Sequence, residues 1–203
     1  MAATPDPHAP LRLFVAVELP DDVRDAISRT IGSLRPALGD DRSLRWVRPE
    51  GIHITLKFLG AVDPVRVPAL HTALRIGVRV ASPFELAPAA VGSFGGRRNL
   101  RVVWLGVGGE IDALTALAAN VDVAVAPLGF ARERRPFAPH LTLARVRDDA
   151  SPAAREQIAG ALAAFRPPAF ESFRVDSISL MRSTLGRGGA VYERVGSYPL
   201  EGG

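Results

Sequence analysis

The sequence predicts an α+β fold with two pseudo-symmetric βαβ-type lobes, whose mainly antiparallel sheets face a central active-site cleft. Strand-like and helix-like segments alternate in the same order in both halves of the chain. The spacings between matching segments are nearly equal, and one short motif containing histidine occurs once in each half. These three observations indicate an internal duplication.

The first half begins as a β-α-β unit and continues through a second helix to a third strand. Alternating stretches rich in β-branched residues predict the strands, and 3.6-residue periodicity predicts the helices. Asp63 is a suitable N-cap for the second helix, and Pro64 suits its first turn. The predicted elements are strand Leu11–Leu19, helix Asp21–Arg35, strand Ile52–Leu59, helix Pro64–Arg79 and strand Phe84–Phe94.

The second half repeats this order and adds a closing strand. The offset from His53 to Pro64 along the chain equals the offset from His140 to Ser151. The next predicted strand also begins at nearly the same offset from each histidine, one position sooner in the second half. The predicted elements are strand Arg101–Val107, helix Glu110–Val125, strand His140–Val146, helix Ser151–Phe165, strand Phe170–Arg182 and strand Ala190–Leu200.

A single two-lobed domain is expected over residues 11–200, with the boundary between the halves at the Gly/Arg turn of residues 95–99. A pseudo-twofold relation between the lobes would set equivalent strands face to face. Residues 1–10 are short, polar and rich in proline, which predicts a disordered tail rather than a secretory signal.

Composition narrows the class of protein. There is no Cys among the 203 residues, which excludes disulfides, thiolate nucleophiles and zinc–cysteine sites. Hydrophobic residues make up 47% of the chain, yet no apolar run approaches the roughly 18 residues of a membrane span. A soluble, cytoplasmic protein without a membrane partner is therefore expected. The net charge of +4 comes from 25 basic residues, all Arg except Lys57, and favours an anionic partner such as a phosphate.

The halves match most clearly at His-Ile-Thr-Leu, residues 53–56, and His-Leu-Thr-Leu, residues 140–143. Both motifs lie in predicted strands, where the His and Thr share one face and the two apolar residues share the other. The composition gives only about 0.14 expected His-x-Thr matches, from 4 His and 7 Thr, and two are present. The motifs are therefore predicted to converge on the cleft as a functional pair.

Two converging imidazoles suit acid–base chemistry. An unperturbed histidine has a pKa of about 6.5, so one imidazole can be neutral and the other protonated near pH 7. A neutral His can take a proton from attacking water while a protonated His donates one to the departing oxygen, each worth about 10²–10⁴-fold. We expect His53 and His140 to act in this way, with the Thr55 and Thr142 hydroxyls donating to phosphate oxygens. This chemistry requires no cofactor and no metal.

These motifs resemble those of a known family, the LigT-like two-histidine phosphoesterases. The likeness also includes the separation of the two motifs along the chain, Arg45-Trp46-Val47 before the first, and Pro136-Phe137-Ala138-Pro139 before the second. It spans roughly residues 11–200 and is greatest for the RNA 2′,3′-cyclic phosphodiesterase branch. The resemblance implies hydrolysis of a terminal 2′,3′-cyclic phosphate to a 2′-phosphate, with His53 as proton donor and His140 as proton acceptor. Composition and spacing alone do not assign those two roles.

Several other residues are candidates for substrate contact. Lys57 shares the strand parity of His53, which predicts a cation in the cleft, although a solvated strand end is an equal alternative. Arg145 is the counterpart of a phosphate-binding Arg in the family, but strict alternation places it opposite His140 unless a bulge re-aims it. The weaker arginine candidates are Arg97, Arg98 and Arg182.

Aromatic residues near the motifs could stack on a terminal base, although core packing is the favoured interpretation for each of them. They are Trp46, Phe94 and Phe137. The two remaining histidines, His8 and His71, have no Thr two positions later and are not expected in catalysis.

Other sites are poorly supported. The glycines of residues 106–109 follow a predicted strand, but Ile111 occupies the third glycine position of a dinucleotide fingerprint, so a tight turn is expected. Two His without a third His or a nearby carboxylate make a poor metal site.

Two functional alternatives stay open beside the cyclic phosphodiesterase. One is a 2′–5′ RNA ligase of the same family, acting on RNA or tRNA halves. The other is a non-catalytic module that binds RNA ends, for which loss of one motif would be the sign. The expected partner is RNA with 2′,3′-cyclic phosphate ends or a small cyclic nucleotide, bound by a monomer without an obligate protein partner.

Overall fold

The computed structural model describes residues 9–39, 41–186 and 189–202, so most of the expected N-terminal tail lies outside the described residues. The described chain forms nine strands and four α-helices. The strands are β1 (Leu11–Glu18), β2 (Leu44–Trp46), β3 (His53–Val62), β4 (Phe84–Phe94), β5 (Val102–Gly109), β6 (His140–Val146), β7 (Phe173–Val175), β8 (Ser177–Gly186) and β9 (Gly189–Pro199). The helices are α1 (Asp21–Leu38), α2 (Val67–Val78), α3 (Ile111–Val125) and α4 (Pro152–Ala164).

One curled sheet contains all the described strands. Its order is β7-β4-β5-β6-β3-β1-β8-β9, and β2 pairs with β6 beside this path. Every recorded pair is antiparallel, which confirms the predicted α+β class with mainly antiparallel strands.

The two lobes meet at the centre of the sheet, where β3 and β6 pair through Ile54 and Leu141. The two motif strands therefore lie side by side, and the expectation that these equivalent strands face each other was wrong. Two sheets packed face to face would need a second core layer, whereas here the motif strands join the lobes edge to edge.

Each lobe also borrows a strand from the other half of the sequence. β4 comes from the first half but pairs with β5, and β8 comes from the second half but pairs with β1. The predicted boundary at residues 95–99 falls in the connection between β4 and β5, which includes a short 3-10 turn at Arg97–Asn99. The exchange interlocks the two lobes.

The alternation of β1 separates the two faces of the sheet. Leu13, Val15 and Val17 are buried in the main core with the helices, whereas Phe14 and Ala16 belong to a small separate cluster on the other face. The helices supply amphipathic faces to the main core, so they cover one side of the sheet. Their buried apolar residues include Ile27, Ile31, Leu34, Leu70, Leu74, Leu114, Leu117, Val121, Ile158 and Leu162.

Helix α3 and the turn after it form an apolar stretch, Ile111–Leu128, whose mean hydropathy of 1.5 would by length and composition allow a membrane span. In the fold, Leu114, Leu117 and Val121 of this helix are fully buried in the core. Asp122 on the same helix accepts a hydrogen bond from Lys57. Helix α3 therefore packs one of its faces into the core.

Side-chain caps open the turn before α2 and the first turn of α4. The Asp63 carboxylate accepts from the Val65 N–H at 3.0 Å and opens a 3-10 turn, so α2 proper begins three residues later than predicted. The Ser151 hydroxyl accepts from the Ala154 N–H at 3.2 Å and caps α4. The predicted strand Phe170–Arg182 is divided at Asp176 into β7 and β8.

Candidate active site

The two histidine motifs occupy the centre of the sheet, on its open face. Ile54 and Leu141 pair directly and are completely buried against the helices. The His and Thr residues on either side of them alternate to the opposite face, away from the helical layer. The antiparallel register also brings each His towards the Thr of the other motif. Four polar side chains therefore converge: His53, Thr55, His140 and Thr142.

Both imidazoles are held in the same way. His53 Nδ1 lies 2.8 Å from the Gly51 carbonyl oxygen, and His140 Nδ1 lies 2.8 Å from the Ala138 carbonyl oxygen. A carbonyl oxygen only accepts, so each Nδ1 carries the hydrogen and donates it. This leaves Nε2 of each ring as the nitrogen that exchanges protons with a bound substrate.

The two rings differ in their surroundings. His53 stacks on Phe14, with ring centroids 4.6 Å apart, and meets the edge of Tyr192 at 5.1 Å. Its counterpart, His140, contacts the edge of Phe94 at 4.7 Å. The first imidazole is therefore enclosed by two aromatic rings.

Burial lowers the pKa of His53 from 6.5 to about 4. The Gly51 carbonyl and the Glu18 carboxylate oppose this shift because they stabilise the imidazolium, while His140 and Arg145 add to it. These electrostatic couplings also indicate that the second histidine and Arg145 lie near His53. The His53 imidazole of the free protein is therefore neutral at pH 7.

A β-bulge directs Arg145 onto the face of the histidines. Val103 of β5 pairs with Ala144, but the next residue, Trp104, pairs with Thr142, so Leu143 is the extra residue. The bulge reverses strand parity after the motif, and Arg145 is exposed on the His140 side. The strict alternation that would have pointed Arg145 away from His140 is therefore broken by the bulge.

The same bulge follows the first motif and removes Lys57 from the cleft. Val15 of β1 pairs with Lys57, while Ala16 pairs with Thr55, which leaves Leu56 as the extra residue. Lys57 is only 8% exposed and donates to Asp122 at 2.5 Å and to the Ala131 carbonyl at 2.6 Å.

The prediction that Lys57 supplies a cation to the substrate is therefore corrected. Its ammonium lies on the helical side, where Asp122 also accepts from Arg132 at 2.6 Å and from the Glu133 N–H at 3.2 Å. This network fixes the segment that leads to His140. Phe58, which occupies the position equivalent to Arg145, is the side chain that the bulge exposes, with an exposed fraction of 66%.

A cavity of about 740 Å³ adjoins the histidines, between the segment after β2 and the β8–β9 hairpin. Arg45, Arg48 and Arg145 line it, together with Tyr192, whose ring contacts His53. The opening therefore combines guanidinium groups with an aromatic ring, a composition suited to a phosphate and a base. The other lining residues are Trp46, Val47, Pro49, Glu50, Gly51, Leu185, Gly189, Ala190 and Val191.

The remaining aromatic candidates are spread over different places. Phe94 lies beside His140, and Trp46 lines the cavity with the guanidinium of Arg35 5.0 Å from its ring centroid. Phe137 is partly buried and packs against the main core, as expected.

The two other histidines lie apart from this site or outside the described residues. His71 lies on α2, and its Nδ1 is hydrogen-bonded to the Tyr198 hydroxyl at 2.7 Å. This imidazole therefore has a structural partner. His8 lies outside the described residues.

The three weaker arginine candidates are not among the described residues that line the cavity. Arg98 forms an ion pair with Glu156 at 2.8 Å, and Arg182 lies 3.9 Å from Glu193. Arg97 is exposed in a 3-10 turn.

Sequence reasoning missed an acidic residue of the site. Glu18 is the direct partner of His53 across β1 and β3 and lies on the same face. Its carboxylate accepts hydrogen bonds from Ser179 and Arg194. The alternation of β1 already places Glu18 on one face with Phe14, so the signal was present, but nothing in the sequence says which strand lies beside the first motif.

The site contains no evident metal centre: across the described ranges, no three His, Cys, Asp or Glu side chains are grouped to hold an ion. Within the same part of the chain, the hydroxyls of Thr55 and Thr142 have no protein hydrogen-bond partner. They are therefore free to donate to a ligand.

Comparisons with known proteins agree with this arrangement. The family model described as the 2′-5′ RNA ligase superfamily matches residues 23–187. The chain is 34% identical over 182 residues to an RNA 2′,3′-cyclic phosphodiesterase of Methanothermobacter thermautotrophicus, covering 90% of this chain and 95% of that one. It is 37% identical over 189 residues to one of Geobacillus stearothermophilus, covering 93% of this chain but 57% of that protein.

Solved structures give the same result. TT0787 of Thermus thermophilus superposes with a TM-score of 0.75 at 28% identity, covering 95% of this chain and 99% of that one. E. coli LigT in complex with 3′-AMP superposes with a TM-score of 0.72 at 29% identity, covering 94% of this chain and 98% of that one.

Proposed function

The chain belongs to the 2′-5′ RNA ligase superfamily of two-histidine phosphoesterases, and from this premise we propose that it hydrolyses 2′,3′-cyclic phosphates at RNA ends. The observation that carries the proposal is the pairing of the two His-x-Thr motifs on adjacent strands, with Nδ1 of each imidazole hydrogen-bonded to a backbone carbonyl so that Nε2 is left for the substrate. Relatives named RNA 2′,3′-cyclic phosphodiesterase, at 27% to 37% identity over most of the chain, support it.

In the proposed reaction, His140 accepts a proton from water at Nε2 as the water oxygen attacks the phosphorus. His53 donates a proton from Nε2 to the ribose 3′ oxygen as the bond between that oxygen and phosphorus breaks. The product is a 2′-phosphate beside a free 3′ hydroxyl. Proton transfers of this kind contribute about 10²–10⁴-fold each. The assignment of donor and acceptor follows the family resemblance.

The negative charge on the oxygens of the five-coordinate phosphorus must be stabilised by hydrogen-bond donors around it. The Thr55 and Thr142 hydroxyls face the site, and the Arg145 guanidinium can offer two parallel N–H groups to a non-bridging oxygen. The cavity beside them, with Arg45 and Arg48 at its wall, accommodates the nucleoside that bears the cyclic phosphate and the phosphate preceding it. No step of this reaction uses a metal.

A second candidate, 2′–5′ ligation of RNA, is favoured by the description of the family model. It is related chemistry in which a 5′ hydroxyl takes the place of water and the cyclic phosphate is opened by RNA. The presence of both motifs with matched geometry argues against a module that only binds RNA ends.

The test is incubation of the protein with a short RNA that ends in a 2′,3′-cyclic phosphate, followed by identification of the terminal phosphate. We expect a 2′-phosphate, and loss of activity in His53→Ala and in His140→Ala. A 3′-phosphate product, or an intact cyclic end after prolonged incubation with wild-type protein, contradicts the proposal. Joined products with a 5′-hydroxyl RNA identify the ligase instead.

A further inference from the structure

The duplicated site is not symmetric in the strand beside each motif. In the first half, Glu18 of β1 is the direct cross-strand partner of His53. In the second half, the equivalent partner of His140 is Gly106 of β5. The same position therefore carries a carboxylate beside one imidazole and no side chain beside the other.

The Glu18 carboxylate is held in place by Ser179 of β8, the strand beside β1, and by Arg194 of β9, the next strand. Its Oε1 accepts from the Ser179 hydroxyl at 2.5 Å and from Arg194 Nε at 2.7 Å, and its Oε2 accepts from Arg194 at 3.0 Å. Burial raises the pKa of this carboxyl, but the hydrogen bonds from Arg194 and Ser179 outweigh burial and hold the pKa below its usual value. The group is therefore ionised throughout the neutral range.

Resting on the proposed function, we propose that Glu18 is a positioning residue that makes His53, rather than His140, the proton donor. A fixed carboxylate stabilises an imidazolium in its neighbourhood, whereas glycine offers no such charge. The His-x-Thr sequence is common to both motifs and cannot distinguish the two roles, so we assign them to this difference in charge beside the two imidazoles.

The effect depends on the substrate complex. In the free protein, burial lowers the pKa of His53, with smaller contributions from His140 and Arg145, and the imidazole is neutral at pH 7. The negative charge of a bound phosphate would offset that of the arginine, and the Glu18 carboxylate would remain beside His53 alone. The titratable and charged groups around His53 are Glu18 of β1, His140 and Arg145 of β6, and Tyr192 and Arg194 of β9.

The experiment compares Glu18→Gln and Glu18→Asp with wild type on the cyclic-phosphate RNA. Gln keeps an acceptor for Ser179 but removes the charge, and Asp keeps the charge. A matched control is Glu193→Gln. The wild-type Glu193 carboxylate lies on β9, is 72% exposed and interacts with Arg182 rather than with the site. Urea unfolding of each variant checks that it folds.

For Glu18→Gln we expect kcat at pH 7 to fall about tenfold or more with KM within about threefold, because one pKa unit changes the protonated fraction tenfold. The alkaline limb of the pH profile should move to lower pH. Glu18→Asp should retain activity to within about threefold, and Glu193→Gln should match wild type. A phosphodiester with an aryl leaving group, which departs without a proton, should restore Glu18→Gln.

Three results overturn the inference: unchanged kcat and pH profile in Glu18→Gln, equal loss on both substrates, or equal loss in the Gln and Asp variants. Failure of the proposed function is distinguishable, because wild-type protein would then leave the cyclic phosphate intact. If wild type hydrolyses the RNA and Glu18→Gln does so equally well, only the role of this carboxylate fails.

Discussion

The pKa of His53 gives the account its sharpest test, because the free site opposes the role proposed for that residue. A donor must be protonated before the leaving oxygen departs, yet burial holds the pKa of His53 at about 4. At pH 7 such a group is protonated in only about one molecule in a thousand. If His53 is the donor, as proposed, substrate binding must raise its pKa.

The size of the required shift follows from the structure. The pKa falls from 6.5 to about 4 through burial, with further contributions from His140 and Arg145. An oxyanion bound between these groups offsets the arginine and attracts a proton to His53, as Glu18 does. For efficient catalysis near neutral pH, the bound-state pKa should return to about 6–7, a rise of roughly two units or more.

Proton NMR titration of the four histidines measures this shift directly. His53→Gln and His140→Gln assign the two ring signals. The probe is inorganic sulfate, which mimics the phosphate and does not titrate in this range. We expect His53 to titrate near pH 4 without sulfate and at least about two pH units higher with saturating sulfate. A free pKa near 6.5 refutes the burial argument, and a pKa that stays near 4 with sulfate bound refutes the donor role.

The lowered pKa of His53 in the free protein also makes the stability of the fold depend on pH, and this effect needs no ligand. The folded-state pKa of His53 lies below the unfolded value, so the unfolded state binds a proton more readily between pH 4 and 6.5. The contribution of His53 to the free energy of unfolding is therefore complete above about pH 6.5 and is lost as the pH falls towards 4. The fall in pKa from 6.5 to about 4 corresponds to about 3 kcal/mol, so urea unfolding of His53→Gln should depend less on pH by about that amount.

Further predictions concern the oxyanion, the buried ion pair and the metal requirement. Arg145→Ala should lower kcat/KM on cyclic-phosphate RNA by about 10²-fold or more. Arg145→Lys should recover only part of kcat/KM, because lysine cannot make the bidentate contact of a guanidinium. A loss below threefold in the Ala variant argues against phosphate contact. Lys57→Met should lower the free energy of unfolding in urea by about 3 kcal/mol, because it leaves Asp122 buried with fewer partners. Adding Asp122→Leu should restore most of the lost free energy. If the effects of the two substitutions were simply additive, the two residues would not be a coupled pair. Activity should survive exhaustive chelation, and restoration of a chelator-inactivated enzyme by a divalent ion would overturn the metal-free mechanism.

The alternation of apolar residues and the offsets of the repeat were sufficient to predict the main helices and strands, since these signals are local. The motif residues on one strand face were predicted for the same reason. The parity of Lys57 was predicted wrongly because a bulge at Leu56 depends on the register against β1, which no local pattern encodes. The register of β6 against β5 likewise decides the orientation of Arg145.

The exchange of β4 and β8 between the lobes was outside the reach of sequence reasoning. Strand order depends on pairings between residues far apart in the chain, whereas each predicted strand was inferred from its own neighbourhood. β2 was missed because its three residues are too few to show a period. Glu18 could be assigned to a face but not to a partner, since its neighbour His53 lies beyond a whole helix along the chain.

His53 and His140 have different roles in the proposed reaction, and the dependence of the rate on the leaving group separates these roles. Under the proposed assignment His53→Ala lacks the acid and His140→Ala lacks the base, so each should hydrolyse the cyclic-phosphate RNA at least about 10²-fold more slowly than wild type. A phosphodiester with a much better leaving group needs little protonation, so it should rescue His53→Ala far more than His140→Ala. Equal rescue of both variants would contradict the assignment of donor and acceptor, and full activity of either variant on the RNA would remove that histidine from catalysis.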